Sequence, residues 1–383
     1  MSFAHGGILS QKNPPTVFLT GATGAIGSRV LEHYLQRGSR VLALVRPREG
    51  QSPQERVTAL LEQAKLSAEQ RKRVTAIAGS IEERGCGLDR ADRRRLVAAA
   101  DLFIHSAAVT HLGATAEECH RANVVGTEHA LELALAAHRG GRLQRFAYIS
   151  SYAASGTARS GYFAEDSLPA QPAFANEYER TKYEAEIRVR AALGGVLPIV
   201  IFRPSVTVGD TETGRIASFN LFYQVVRILG SGMLSHWPDL RERKVNIVPV
   251  DYVAKAIRRG LEVAWALGHT FHLVSRNGCL LKDLFDLVKV FPHLRIPKLV
   301  PVAQWSLSLL SQKEQMVHRL LESYLLPYLN DLRLQTRNAE RLLELPVINP
   351  SFLRRLLEYA VRAGYLPPEN FRSPGIKLAT TPA

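Results

Sequence analysis

Tyr178 and Lys182 stand four residues apart in the run Tyr178-Glu-Arg-Thr-Lys182. On a helix that spacing puts both side chains on one face. An ammonium beside a phenol favours the phenolate, so the pair predicts a tyrosine whose pKa falls from about 10 and which passes a proton near neutral pH. The lysine can also hold the hydroxyls of a ribose. Just upstream lies Tyr148-Ile-Ser150-Ser151-Tyr152. A hydroxyl there can hydrogen-bond a substrate carbonyl beside Tyr178, and strand alternation turns only one of the two serines inward, which selects Ser151. The plainer reading is that both serines close a strand, and that Tyr-x-x-x-Lys is a frequent accident; Tyr152, Tyr162 and Tyr183 all lie nearby. Position decides the matter, because this helix follows the fifth strand of an alternating series.

A second group of residues speaks for an anion. Thr20-Gly21-Ala22-Thr23-Gly24-Ala25-Ile26-Gly27 sits directly between an apolar run and a helical pattern. Glycine at the bend permits a tight strand-to-helix turn, glycine beside a pyrophosphate permits close backbone approach, and a third glycine permits helix–strand packing. The helix N-terminus then offers amides and positive dipole to phosphates, so Gly21, Thr23, Gly24, Ala25, Ile26 and Gly27 are candidate cofactor-binding residues. The second strand ends Leu44-Val45-Arg46-Pro47-Arg48 rather than in the acid that would grip a ribose 2′-hydroxyl. A guanidinium suits a 2′-phosphate, so Arg46 points to NADPH rather than NADH. Its plainer alternative is a surface arginine past the end of a strand.

The elements that must position these groups can be read from periodicity. Strands are expected at 16–20, 40–45, 74–78, 102–105, 145–150 and 198–202, and helices at 25–36, 116–138 and 177–192. Such alternation predicts an α/β fold with a doubly wound parallel sheet, whose strand C-termini point at the cofactor crevice. Residues 211–246 read as a glycine-interrupted, partly helical insertion. Strands at 245–250 and 270–274 could extend the sheet, with a helix at 253–265 between them. Helices are expected at 281–290, 304–325, 337–343 and 352–363, forming a smaller, mainly helical C-terminal lobe. The division is therefore a dinucleotide-binding domain over 14–210, completed by 245–277; a substrate lobe from 211–244 and 278–370; and a loose tail over 371–383. In the 304–325 helix, Leu307, Leu309, Leu310, Met316, Leu320 and Leu321 could pack on a core or touch a membrane surface.

Composition narrows the field. Of 383 residues 46% are hydrophobic, ample for a large buried core. Cys86, Cys119 and Cys279 are far apart and form no Cys-x-x-Cys pair, so neither a disulfide framework nor a zinc site is expected, and no metal is assigned. The first residues lack the basic start and apolar run of a signal peptide, and no apolar stretch approaches the ~20 residues of a membrane span. A cytoplasmic protein is expected, with peripheral membrane contact left open. The formal charge of +14 attracts anions such as nucleotide phosphates, coenzyme A or an acidic carrier protein, or simply solvates the surface. No nucleic-acid motif or compact basic stripe accompanies that charge, and no nucleic-acid partner is expected.

Together these segments resemble the extended short-chain dehydrogenase/reductase superfamily with its Rossmann fold. The resemblance also rests on His105-Ser106-Ala107-Ala108 after the fourth strand, on Asn123-Val-Val-Gly-Thr127, on Arg203-Pro204-Ser-Val206 and on Pro249-Val-Asp-Tyr-Val253, and it covers residues 16–275. It implies cofactor contacts from Ser106, Ala107, Ala108, Asn123, Pro204 and Val206, with Tyr178 and Lys182, and an adenine contact at Ser80 and Ile81. Ser80 replaces the family's frequent Asp after Gly79. Within the superfamily, Leu44-Val-Arg46, the run 201–214 and Val248–Val253 are similar to the fatty acyl-CoA reductases and carrier-protein thioester reductases, the male-sterility-type branch. There the usual Ser-Thr stands where this chain has Ser150-Ser151. That resemblance implies NADPH-dependent reduction of a thioester of coenzyme A or of an acidic acyl carrier protein to aldehyde, and on to alcohol if a second reduction follows. Ser151, Tyr178 and Lys182 would form the catalytic group. A ketoreductase or hydroxysteroid-type dehydrogenase, a sugar-nucleotide epimerase, and a non-enzymatic NADPH-sensing scaffold are the alternatives on the same fold.

Overall fold

The structure is a computed structural model that describes residues 13–111, 113–157, 161–193, 197–291, 294–325, 328–329 and 332–366. The tail expected over 371–383 lies outside the described residues. Strands β1 (Thr16–Thr20), β2 (Arg40–Val45), β3 (Val74–Ala78), β4 (Leu102–His105), β5 (Arg145–Ile149), β6 (Ile199–Pro204) and β7 (Thr270–Leu273) form one seven-stranded sheet in the order β7-β6-β5-β4-β1-β2-β3. Every pairing in it is parallel. A parallel sheet is covered on both faces, and alternate residues of each strand divide between two cores. Val17, Leu19, Val41 and Ala43 pack against α1 (Ala25–Gln36), α2 (Pro53–Gln63) and α7 (Val250–Glu262). Phe18, Leu42, Leu44 and Phe103 pack on the other side against α3 (Arg90–Ala99), α4 (Gly126–Arg139) and α5 (Glu177–Leu193). There Phe18, Phe103 and Phe146 make an edge-on aromatic ladder with centroids 4.7 and 5.1 Å apart.

The strand order reverses between β1 and β4, and in such sheets ligands bind outside the strand C-termini at that point. The segment expected as one helix over 116–138 is instead a short helix Ala116–Cys119, a π-helical stretch His120–Val125 and α4. The strand expected at 245–250 does not join the main sheet. Ile247–Pro249 pairs in parallel with Val206–Val208 in a separate ladder, and α7 begins at Val250. Only β7 extends the main sheet.

A third core lies mainly in the residues beyond β6, joined by Tyr152 and Ala153. It gathers α6 (Leu221–Gly230), α8 (Leu281–Val288), α9 (Gln312–Leu325) and α10 (Pro350–Arg362) around Trp237, Tyr223 and Phe352. The helix expected over 304–325 is shorter than periodicity suggests. Residues 302–304 and 307–309 are single 3-10 turns, and α9 starts only after Ser311. Ser311 and Glu314 cap that start reciprocally: the Ser311 amide donates to the Glu314 carboxylate (2.8 Å) and the Glu314 amide to the Ser311 hydroxyl (3.4 Å). Leu310 and Leu321 are buried in the lobe core, whereas Met316, Leu309 and Leu320 are exposed. Among the described residues, no helix is long and apolar enough to cross a membrane, and no cluster of side chains could hold a metal ion.

Candidate active site

The glycine loop leaves β1 and enters α1 under tight steric limits. Gly21 has φ +73°, in the left-handed region, and a Cβ there would lie 2.7 Å from the Ala107 amide nitrogen. A Cβ on Gly27 would come 2.0 Å from the Gly21 carbonyl oxygen. The loop is held shut by Thr20, whose Oγ1 accepts from the amides of Ser106 (3.2 Å) and Ala107 (3.3 Å) and shares a hydrogen bond with His105 Nδ1 at 2.8 Å. Burial presses the His105 pKa down to about 3, with Lys182 adding to the effect, so the ring is neutral. The ends of β1 and β4 are thus tied where the sheet order reverses. The N-cap residue of α1, Gly24, offers no side-chain cap, and no acidic residue occupies the first turn. Ala25, Ile26 and Gly27 of that first turn line a cleft, which fits a dinucleotide phosphate.

That cleft has a volume of about 1020 Å³. It brings together Gly24, Ala25, Ile26 and Gly27 from the loop; Ser106 and Ala108 from the end of β4; Ser151, Tyr178 and Lys182; and Pro204 and Val206 after β6. Gly21, Thr23, Arg46, Ser80, Ile81, Ala107 and Asn123 are not among its walls. Ser80 and Ile81 are buried, and the Ser80 hydroxyl accepts from the Glu82 amide at 3.2 Å. Asn123 is spent on the protein. It accepts from the Val109 amide (2.8 Å) and donates to the Val109 carbonyl (3.1 Å) and the Thr181 hydroxyl (3.0 Å). These bonds tie the loop after β4 to α5.

The two serines face different ways. Both line the cleft, but Ser150 Oγ donates to the buried Glu186 carboxylate at 2.6 Å. Ser151 is the hydroxyl next to Tyr178, and its Oγ accepts from the Ala153 amide at 3.1 Å. Lys182 is almost fully buried; its Nζ donates to the Ile149 carbonyl (2.8 Å) and the Tyr148 hydroxyl (3.3 Å). Burial lowers the Lys182 pKa to about 7, against the pull of Glu186. The expected depression of Tyr178 is not found. Burial raises its pKa, and the hydrogen bond from Ser151 only partly opposes that rise. The reason is geometric and electrostatic: the ammonium is turned to the end of β5, and desolvation outweighs it.

Three features escape the motif reading. Ser205 Oγ lies in the cleft, buried and without a partner. Tyr324 and Tyr328 close the far wall from the lobe, and Tyr328 packs on Tyr152 at 5.4 Å. At the cofactor's expected 2′ end, Arg46 pairs with Glu82 at 3.0 Å and is itself mostly exposed. Arg56, one turn into α2, donates to the Arg46 carbonyl and, at 3.4 Å, to Thr23 Oγ1. Burial together with Arg48 and Arg46 lowers the Arg56 pKa, which marks a concentration of positive charge around Thr23. The only trace of Arg56 in the sequence is a third arginine just past a Ser-Pro helix start.

The comparisons with known proteins agree on the ancestry of this arrangement. The chain is 30% identical over 298 residues to the aldehyde reductase lnaA of Aspergillus flavus, a match covering 73% of this chain and 27% of that one. It is 27% identical over 273 residues to the nonribosomal peptide synthetase asaC of the same fungus, covering 68% of this chain and 26% of that protein. The chain therefore spans only about a quarter of the length of these curated relatives. Among solved structures, the terminal R domain of the myxalamid PKS-NRPS biosynthetic pathway superposes with a TM-score of 0.77 at 24% identity, covering 92% of both chains, a likeness of fold. Residues 19–257 match the male sterility protein family of NAD-binding domains, and the chain, an extended short-chain dehydrogenase/reductase in fold, belongs to that family.

Proposed function

We propose that the protein is an oxidoreductase that reduces an acyl thioester to an aldehyde with NADPH, through Ser151, Tyr178 and Lys182. The observation that carries this reading is the meeting, in one cleft, of the uncapped glycine-loop helix with two adjacent hydroxyls, Ser151 and Tyr178. Gly24, Ala25, Ile26 and Gly27 would hold the phosphates, Lys182 the ribose, Pro204 and Val206 the nicotinamide end, and Arg46 with Arg56 and Thr23 the 2′-phosphate. Bound there, NADPH supplies the hydride.

The chain's own groups handle the carbonyl oxygen. A phenol with a raised pKa stays protonated at neutral pH, so Tyr178 serves as a hydrogen-bond donor and acid rather than as a base. Ser151 and Tyr178 donate to the thioester oxygen and stabilise the oxyanion as it develops, as preorganised donors do. Collapse of that oxyanion breaks the C–S bond, leaving aldehyde and a thiolate that takes its proton from solvent, while Tyr178 stays a hydrogen-bond donor to the oxygen. With a second NADPH supplying hydride, the aldehyde presented to the same hydroxyls can be carried on to alcohol, Tyr178 giving the alkoxide its proton. The thiol carrier is coenzyme A or the phosphopantetheine of a carrier protein, both anionic and suited to a chain of charge +14.

The test is product identification. Purified protein is incubated with NADPH and either acyl-coenzyme A or an acyl carrier protein, and the carbonyl product is trapped with a hydrazine. Thioester-dependent NADPH oxidation with a trapped aldehyde or its alcohol is expected. Oxidation that requires a ketone and ignores every thioester would move the assignment to ketoreduction.

A further inference from the structure

A second cavity, of about 720 Å³, opens off the catalytic cleft inside the C-terminal lobe. The two share three wall residues, Val206, Leu221 and Tyr328. Beyond that neck the walls are α6, with Val225 and Leu229; α8, with Leu284 and Val288; and Trp237 from the strand His236–Pro238. Among the described residues no charged side chain lines it, and Tyr328 and Trp237 are the only lining side chains that carry a polar atom.

Chemistry selects the occupant. A peptidyl chain brings an N–H and a C=O at every residue, and each would lose its water here with almost nothing to replace it. A hydrocarbon chain loses nothing by leaving water and gains contact along its length. We infer that this chamber holds the acyl arm of the substrate, and that the arm is an aliphatic chain rather than a peptide or polar polyketide. The inference rests on the thioester reading for the reacting end and adds the class of chain attached to it. Val206 and Leu221 at the neck line the same cleft as Ser151 and Tyr178, so a chain lying in the chamber leaves its carbonyl near the catalytic hydroxyls.

The chamber can be read without any chemistry by calorimetric titration of the full chain with saturated primary alcohols from butanol to dodecanol. Affinity should rise about fourfold per methylene up to a limit set by the chamber's depth, with a negative heat-capacity change. Leu284→Trp should move that limit to shorter chains; Ile296→Phe, at a half-buried wall position, makes the same test should the first variant fail to fold. In parallel, kcat/KM for NADPH-dependent reduction of coenzyme A and pantetheine thioesters from butanoyl to dodecanoyl should follow the same length dependence. Alcohol binding that ignores length, or a limit that neither substitution moves, overturns the inference. Length-dependent binding without reduction of any thioester supports the chamber and overturns the reading of the catalytic site instead.

Discussion

Tyr178 and Lys182 titrate in the opposite sense to the one their spacing suggests, and the difference sets what each can do. Burial lifts the phenol and lowers the lysine to about 7, so without cofactor the pair is close to a neutral phenol beside a half-charged amine. The lysine carries a linkage consequence. Its folded pKa lies below the 10.5 of the unfolded chain, so between about pH 7 and 10 the unfolded state binds more protons and this group makes stability rise with pH. Thermal melts of cofactor-free protein should show that rise, and Lys182→Met should lose it; equal slopes in the two proteins would contradict the assignment. Beside the glycine loop, Arg56→Ala should weaken NADPH binding roughly 10- to 100-fold, the worth of a charge-assisted hydrogen bond, and leave NADH binding unchanged. Equal loss for both nucleotides would remove Arg56 from the 2′-phosphate.

At the scale of elements, β5 and α5 are fastened from behind. Glu186, one turn beyond Lys182 on α5, accepts from Ser150, from Arg190 at 2.8 Å and from Arg203 Nε at 2.9 Å. Arg203 is fully buried at the end of β6 and also donates to the carbonyls of Ala164, Glu165 and Ser167. Removing one partner of such a pair leaves a buried charge, so Arg203→Met should cost about 3–5 kcal/mol in urea unfolding; a loss below 1 kcal/mol would mean that the network relaxes around the gap. The Arg-Pro-Ser-Val segment is legible in the sequence as a motif, but this anchoring is not, because Glu186, Ser150 and Arg203 meet only when β5, β6 and α5 do. The main strands are legible because their apolar runs end at glycine or polar residues that stop both strand and burial. The π-helical stretch His120–Val125 breaks no hydrophobic period and leaves no such mark. The start of α9 was within reach, since Ser311-Gln-Lys-Glu314 is a capping-box pattern and outranks the leucine spacing ahead of it. The ladder between Ile247–Pro249 and Val206–Val208 depends on a partner some forty residues away, and alternation alone cannot choose it.

At the scale of the whole molecule, the sheet supplies the cofactor crevice and the lobe supplies the chamber, and the cleft is where the two cores meet. Tyr178 belongs to that seam: it sits on a helix of the sheet layer yet packs against the lobe's apolar cluster. The net charge of +14 acts over the same scale. If the thiol carrier is an acidic protein, kcat/KM for its thioester should fall about tenfold or more from low to physiological ionic strength, while that for a simple pantetheine thioester stays flat. Equal salt dependence would argue against a charged carrier. The central claim is that one cleft joins NADPH to a thioester carbonyl through the Tyr178 phenol. It is tested most directly by comparing wild type with Tyr178→Phe for acyl-thioester-dependent NADPH oxidation, with NADPH affinity measured alongside. The variant should bind NADPH as wild type does and lose about 10²- to 10⁴-fold in kcat. A variant that reduces thioesters at the wild-type rate would contradict it.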